Sequence, residues 1–270
     1  MNNIKSIIKD WIPPALIRLA TKNSKKYGWS GDYATWEEAE AHCSGYDSEI
    51  ILKKVKNALL KVKNGEAVYE RDSVLFDEIQ YSWPLLSGLM WVAAQNNGEL
   101  NVLDFGGSLG STYFQNLKFL QTLKKVSWNI VEQESFVDCG SAYLKNSNLQ
   151  FYDDLDECFN LQKPDTVILS SVLQYIEKPF ELLTIIMSYN FKYIIFDRTP
   201  FIKKNKDLLT VQIVPPEIYS GSYPCWFFDR KNFIDFCEKK YSIMASFDAL
   251  DNANIDSCFQ GFLCRKKSID

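Results

Sequence analysis

Asp104, Gly106, Ser108 and Gly110 follow one another at alternate positions, after a short apolar run and before the helical-looking segment Thr112–Leu123. Glycine, Gly107 included, suits a turn where the backbone must bend tightly and a ligand must approach without meeting a Cβ. A strand, a glycine turn and a helix start deliver backbone N–H groups and a helix N-terminus to that ligand. Glu132 closes the next apolar run, Ser127–Val131, and Gln133 follows it. A carboxylate there can accept both hydroxyls of a ribose. Asp153 and Asp154 close a third run, Leu149–Tyr152, where an acid can bind an adenine amino group, although acids are also ordinary turn residues. Ser170 and Ser171 end a fourth run and, with Tyr175, face the place for a ligand's reactive end.

Groups able to move a proton are few. Asp197 and Arg198 follow the fifth run, Tyr193–Phe196, and lead into a long loop. His42 is the one histidine, so histidine acid–base chemistry has a single candidate and a multi-histidine metal site is excluded. Glu70 and Asp72 are further candidate bases. Val214–Phe228, rich in Pro, Gly and aromatic residues, reads as a loop that serves as a lid or stacking platform, with Tyr219, Tyr223 and Trp226 as substrate-side candidates.

The elements that must position these residues fall into two parts. From residue 97 to 270 apolar runs alternate with helical segments, as in a parallel sheet covered on both faces. Ligands of such sheets sit at the C-terminal strand edge, where Asp104, Glu132, Asp153, Ser170 and Asp197 all fall. Tyr241–Phe247 and Cys258–Arg265 read as an antiparallel pair at the sheet edge, joined by the polar turn Asp248–Asp256. The sequence before residue 97 reads as a helical extension: Gly28–Tyr33 as a loop, a short helix after Thr35, a helix from Ser48 to Lys63, and a helix over Val74–Ala94 with Pro84 inside it. Residues 1–26 form a basic amphipathic lead, suited to docking on the protein or to peripheral contact with an anionic membrane face.

Composition removes several classes. A net charge of −4 in 270 residues argues against a broad basic nucleic-acid surface. No apolar run has the roughly 18–20 residues of a spanning helix, and the first residues lack a secretory signal. Seven cysteines with no C-x-x-C pair fit reduced thiols in the cytoplasm and no metal centre.

Read as acid-x-G-x-(G/S)-x-G, the Asp104–Gly110 loop resembles motif I of the class I S-adenosylmethionine (SAM) dependent methyltransferases. Pro164–Pro179, PDTVILSSVLQYIEKP, is similar to their motif IV region. Gly31-Asp32-Tyr33, Trp36-Glu37-Glu38-Ala39, Gly45-Tyr46-Asp47 and Asp197-Arg198-Thr199-Pro200 resemble a methyltransferase family often found with bacterial surface-polysaccharide biosynthesis. Gly107 and Leu109 stand where that loop often has Cys or Thr. The resemblance implies a Rossmann-like, doubly wound, mostly parallel seven-stranded sheet (97–270) behind a helical extension (1–96). It implies SAM as cofactor and S-adenosylhomocysteine (SAH) as product, with the loop holding the methionine end, Glu132 the ribose, Asp153 and Asp154 the adenine side, and Gln133 also in the cofactor site. A glycan or nucleotide-sugar hydroxyl would be the acceptor.

Two rivals remain. An NAD(P)-dependent oxidoreductase or epimerase predicts a third glycine where the chain has Ser111, and a Tyr-x-x-x-Lys pair that does not stand beside the fourth run. A non-catalytic binding module predicts ligand binding without turnover.

Overall fold

The computed structural model describes residues 27–45, 48–71, 73–216 and 218–268. The basic lead of residues 1–26, and Tyr46, Asp47 and Asp72 of the readings above, lie outside the described residues.

Five parallel strands form the centre: β4 (Glu99–Phe105), β5 (Lys125–Val131), β6 (Leu149–Tyr152), β7 (Thr166–Ser170) and β8 (Tyr193–Ile202), in the order β6-β5-β4-β7-β8. β12 (Ser257–Lys266) adds antiparallel to β8, and β11 (Tyr241–Asp248) antiparallel to β12. These seven strands make the mostly parallel, Rossmann-like sheet that the alternating pattern predicts.

Alternation along each strand divides the core. Val102, Ile130, Ile168 and Ile195 face one side, where they pack with α2 (Ser48–Lys63), α3 (Trp83–Gln95), α4 (Ser111–Leu120) and α5 (Glu134–Tyr143). Leu103, Val167, Leu169, Ile194 and Phe196 face the other, against α6 (Leu155–Gln162), α7 (Pro179–Ser188) and α8 (Arg230–Cys237). Burial on both faces is why these strands read as continuous apolar runs.

Among the described residues the sheet has ten strands, three more than expected. β9 (Leu208–Val214) and β10 (Gly221–Asp229) form an antiparallel hairpin over most of the stretch read as a loop. Among the described residues β10 pairs with β8 only at Phe228 and Asp229, so most of the hairpin extends past β8 as an arm. β1 (Gly28–Tyr33) pairs antiparallel with β9, which corrects the loop expected there. The helix expected over Val74–Ala94 is also corrected: Tyr69–Arg71 (β2) and Val74–Phe76 (β3) form a hairpin, and the helix starts at Trp83. Pro84 stands in its first turn, where the missing N–H has no intrahelical partner to lose and the fixed φ suits a helix start. The Thr35 side chain caps the short α1 (Trp36–Glu40) as expected, accepting from the Glu38 N–H.

β8 does not end at Asp197. Thr199 pairs with Gln260 and Phe196 with Phe262, so Asp197 and Arg198 together oppose Gly261 in a β-bulge. Arg198 takes φ 55°, and a Cβ on Gly261 would lie 2.5 Å from the Phe196 carbonyl oxygen and 2.2 Å from the Phe247 ring. Only glycine fits opposite the bulge.

Candidate active site

The strand order reverses between β4 and β7, which opens a crevice at their C-terminal ends. A cavity of about 1300 Å³ occupies it, lined from the glycine loop at one end to the β9–β10 arm and the β11–β12 turn at the other.

At the loop end the backbone closes around Asp104. The Gly106 N–H donates to the Val131 carbonyl at 2.9 Å, and a Cβ on Gly107 would sit 2.6 Å from the Asp104 carboxylate. Asp104 is 1% exposed and accepts a 3.0 Å bond from the Trp128 indole N–H. Burial pushes its carboxyl up to about 7, the indole bond opposes the shift, and the Glu132 charge adds to it. Gly106, Gly107 and Ser108 line the cavity; Gly110 does not, and instead forms the N-cap of α4 with φ 99°.

Glu132 stands at the tip of β5. Its Oε1 accepts from the Ser108 N–H of the glycine loop (3.2 Å) and its Oε2 from the Gln133 N–H (2.8 Å). The two bonds fix the carboxylate beside the loop, and lone pairs remain for a ligand's hydroxyls. Burial raises its pKa, and the two N–H bonds oppose the rise. Gln133 and Asp153 also line the cavity. Asp154 is corrected: its Oδ1 caps α6 by accepting from the Glu157 N–H at 2.6 Å, which commits it to the helix and leaves it out of the lining.

The far end is built around the bulge. Asp197 is 2% exposed; its Oδ2 accepts from the Ser170 hydroxyl at 3.0 Å, and its Oδ1 is buried without a hydrogen-bond partner. Burial raises its pKa, and the Arg198 charge and the Ser170 bond pull it back. The Arg198 Nε–H donates to both Asp251 oxygens, at 3.2 and 3.1 Å. The Ser171 N–H donates to the Asp197 carbonyl, tying the end of β7 to the bulge. Above lie Tyr175, whose hydroxyl donates to Gln212 Oε1 at 2.9 Å, and Tyr223, which meets Tyr175 edge-on and shares a 2.9 Å hydrogen bond with the Tyr219 hydroxyl.

Two expected residues are not brought here. His42 lies exposed after α1, against the Tyr33 ring and outside the lining, because α1 buries Ala39 and turns His42 outward. Trp226 belongs to β10, so its side alternates with that of Tyr223; it packs against Trp36, which lines the cavity, and is itself outside the lining. In return, Gln212, Asp248 and Asp251 line the cavity unanticipated. β11 runs parallel to β8, so its C-terminal turn falls on the active edge, a signal already present in the polar stretch Asp248–Asp256.

The lining favours a cationic ligand. Glu70, Asp104, Glu132, Asp153, Asp197, Asp248 and Asp251 face it against Arg71 and Arg198 among the described residues. A dinucleotide's pyrophosphate would meet carboxylates there, and Ser111, where a third glycine would stand, donates to Glu70 Oε2 at 2.8 Å. The sheet departs from the dinucleotide order too, because an antiparallel pair replaces the sixth parallel strand.

No protein-family model and no curated protein matches the chain. Similar solved structures include the N-terminal domain of EvdMO1 in the presence of SAH and D-fucose: 13% identity, 83% of this chain, 98% of that one, TM-score 0.48. Another is Burkholderia thailandensis 1,6-didemethyltoxoflavin-N1-methyltransferase with bound 1,6-didemethyltoxoflavin and SAH: 10% identity, 91% and 98% coverage, TM-score 0.47. A third is magnesium protoporphyrin IX methyltransferase from Synechocystis PCC 6803 with bound SAM: 14% identity, 83% and 99% coverage, TM-score 0.43.

Proposed function

We propose that the protein is a SAM-dependent methyltransferase that methylates a hydroxyl of a sugar or glycan. The observation that carries the reading is Glu132, a carboxylate bonded to the glycine loop's own N–H inside a mainly acidic cavity. The residues present fit the cofactor: Glu132 for the ribose hydroxyls, Asp153 for the adenine side, and the Asp104 loop for the methionine end. Aligned carboxylates suit a sulfonium, whereas they would repel a phosphate.

SAM supplies a methyl group on an already activated leaving group, so alignment of the acceptor is the larger demand on the protein. Proximity and orientation provide roughly 7–11 kcal/mol. The cavity exceeds the roughly 300–1,000 Å³ that holds one drug-sized ligand, which leaves room for an acceptor beside the cofactor. Tyr175, Tyr219 and Tyr223 offer ring faces and hydroxyls to a sugar. Asp197, which lines the cavity and whose Oδ2 is held by Ser170, is the base for the acceptor's proton. The excess of carboxylates in the lining, Asp248 among them, favours a neutral polyol over a nucleotide sugar, whose diphosphate they would repel. No helix among the described residues is long and apolar enough to cross a membrane. A cytoplasmic role in surface-polysaccharide synthesis, with residues 1–26 touching the membrane face, suits such an acceptor.

Thermal unfolding with SAH, and with NAD as control, tests the reading. At about 100 times its Kd a ligand adds about 2.7 kcal/mol, roughly 5–10 °C for a chain of this size. A rise with SAH alone is expected; a rise with NAD alone would overturn the proposal.

A further inference from the structure

Trp29, Gln212 and Tyr223 stand directly opposite one another on three adjacent strands, β1, β9 and β10. Directly paired residues of antiparallel strands share a face, and all three line the far end of the cavity. The row is about 10 Å wide, two strand spacings, and carries no charge. Trp29 is held from several directions. Its backbone N–H donates to Asn254 Oδ1 and its carbonyl accepts from Asn254 Nδ2, both at 2.8 Å, so the turn between β11 and β12 fixes this one residue of β1. Gly28 makes room for that contact, since a Cβ there would lie 2.4 Å from Asn254 Oδ1. The indole N–H donates to Cys225 Sγ at 3.3 Å, and the Phe227 and Phe259 rings pack against the indole. Gln212 is fixed by the Tyr175 hydroxyl, which donates to its Oε1 at 2.9 Å. Its NH2 has no hydrogen-bond partner among the described residues.

We infer that this row is the acceptor's ring subsite: a neutral pyranose lies with its C–H face on the Trp29 indole, and one of its oxygens accepts from the Gln212 NH2. The inference rests on the methyltransferase reading above and deepens it, from a cavity that suits a sugar to the side chains that read one. With its N–H committed to Cys225, Trp29 offers the cavity carbon ring surface alone. That surface matches the apolar face of a sugar ring, where the axial C–H bonds point. With Oε1 taken by Tyr175, Gln212 presents its NH2, a donor. A hydroxyl or ring oxygen satisfies that donor, whereas an ammonium group does not. Because both side chains are anchored before binding, little of their freedom is left to lose when the acceptor docks.

The test is saturation-transfer NMR with titration, on the full chain saturated with SAH. The probes are methyl β-D-glucopyranoside, methyl β-D-galactopyranoside and methyl α-D-mannopyranoside, with phenol as a flat control. At least one glycoside should bind, with saturation strongest on the C–H protons of one ring face. Gln212→Glu is the decisive variant, since its carboxylate still accepts from Tyr175 but cannot donate. It should weaken that glycoside about 10-fold while SAH affinity stays within about 3-fold of the parent. Trp29→Leu should weaken the glycoside by about 10-fold or more and erase the one-face pattern, again with SAH within about 3-fold. Unchanged glycoside affinity in either variant would overturn the subsite, as would binding of none of the three glycosides, or of phenol in their place. Equal loss of SAH and glycoside would make the row a structural brace and overturn it too. Failure of SAH itself to bind the unsubstituted chain would overturn the methyltransferase reading beneath it.

Discussion

Replacing Glu132 is the sharpest perturbation of the site, because both of its carboxylate oxygens already have defined partners. Oε1 and Oε2 accept from Ser108 and Gln133, so the remaining lone pairs point at whatever the cavity holds. Two ribose hydroxyls donating to an ionised carboxylate form charge-assisted bonds worth about 1.5–3 kcal/mol each. Loss of both in Glu132→Ala should therefore cost about 3 kcal/mol or more in SAH binding, roughly 150-fold in Kd. Glu132→Gln should be nearly as damaging. One amide face becomes a donor, and wherever it turns it meets either the Ser108 or the Gln133 N–H, so the loop must shift. Glu132→Asp keeps the charge but withdraws it by one methylene and should fall between. Isothermal titration with SAH measures all three. A change below about 3-fold in Glu132→Ala, with the protein still folded, would refute the assignment of the ribose to this carboxylate.

Other consequences follow from the buried acids and the bulge. Asp104 has a folded pKa raised to about 7 from 3.8, so its stability contribution is present below about pH 4 and lost as pH rises through 7. Asp104→Asn should gain about 3 kcal/mol over the parent between pH 5 and pH 8 in denaturant unfolding, while binding SAH more weakly. An equal offset at both pH values would contradict the raised pKa. Asp197→Asn should lower kcat by about 10²–10⁴-fold with SAH affinity unchanged, and should remove the rise in rate as pH climbs through the raised Asp197 pKa; a retained pH profile counts against Asp197 as the base. Asp154→Ala should cost about 1 kcal/mol of stability with no effect on SAH, whereas Asp153→Ala should weaken SAH. Gly261→Ala should destabilise by at least about 1–3 kcal/mol, read by urea unfolding, because the new methyl meets the Phe196 carbonyl and the Phe247 ring.

The sheet was legible because its strands are buried on both faces and end in polar residues on one edge. Asp104, Glu132, Asp153, Ser170 and Asp197 could be aligned from strand order alone, and the crevice holds all five. The arm was hidden for a physical reason. Gly221–Asp229 carries a proline, a glycine and aromatics, which in sequence read as a loop, while its strand character comes from pairing with β9. Pro84 misled in the same way, since a proline in the first helical turn and one in the interior look alike until the start is known. Asp153 and Asp154 could not be separated, because only the backbone decides which acid caps α6. Trp226 failed on parity: once its stretch is a strand, it and Tyr223 cannot share a face.

A structure of the protein with SAH tests the central claim most directly. The account predicts the ribose hydroxyls within about 3.2 Å of the Glu132 oxygens, the amino-acid end beside Gly107, and the sulfur facing Ser170 and Asp197. A nucleoside bound away from Glu132, or reversed so that its adenine lies against Asp197, would contradict it.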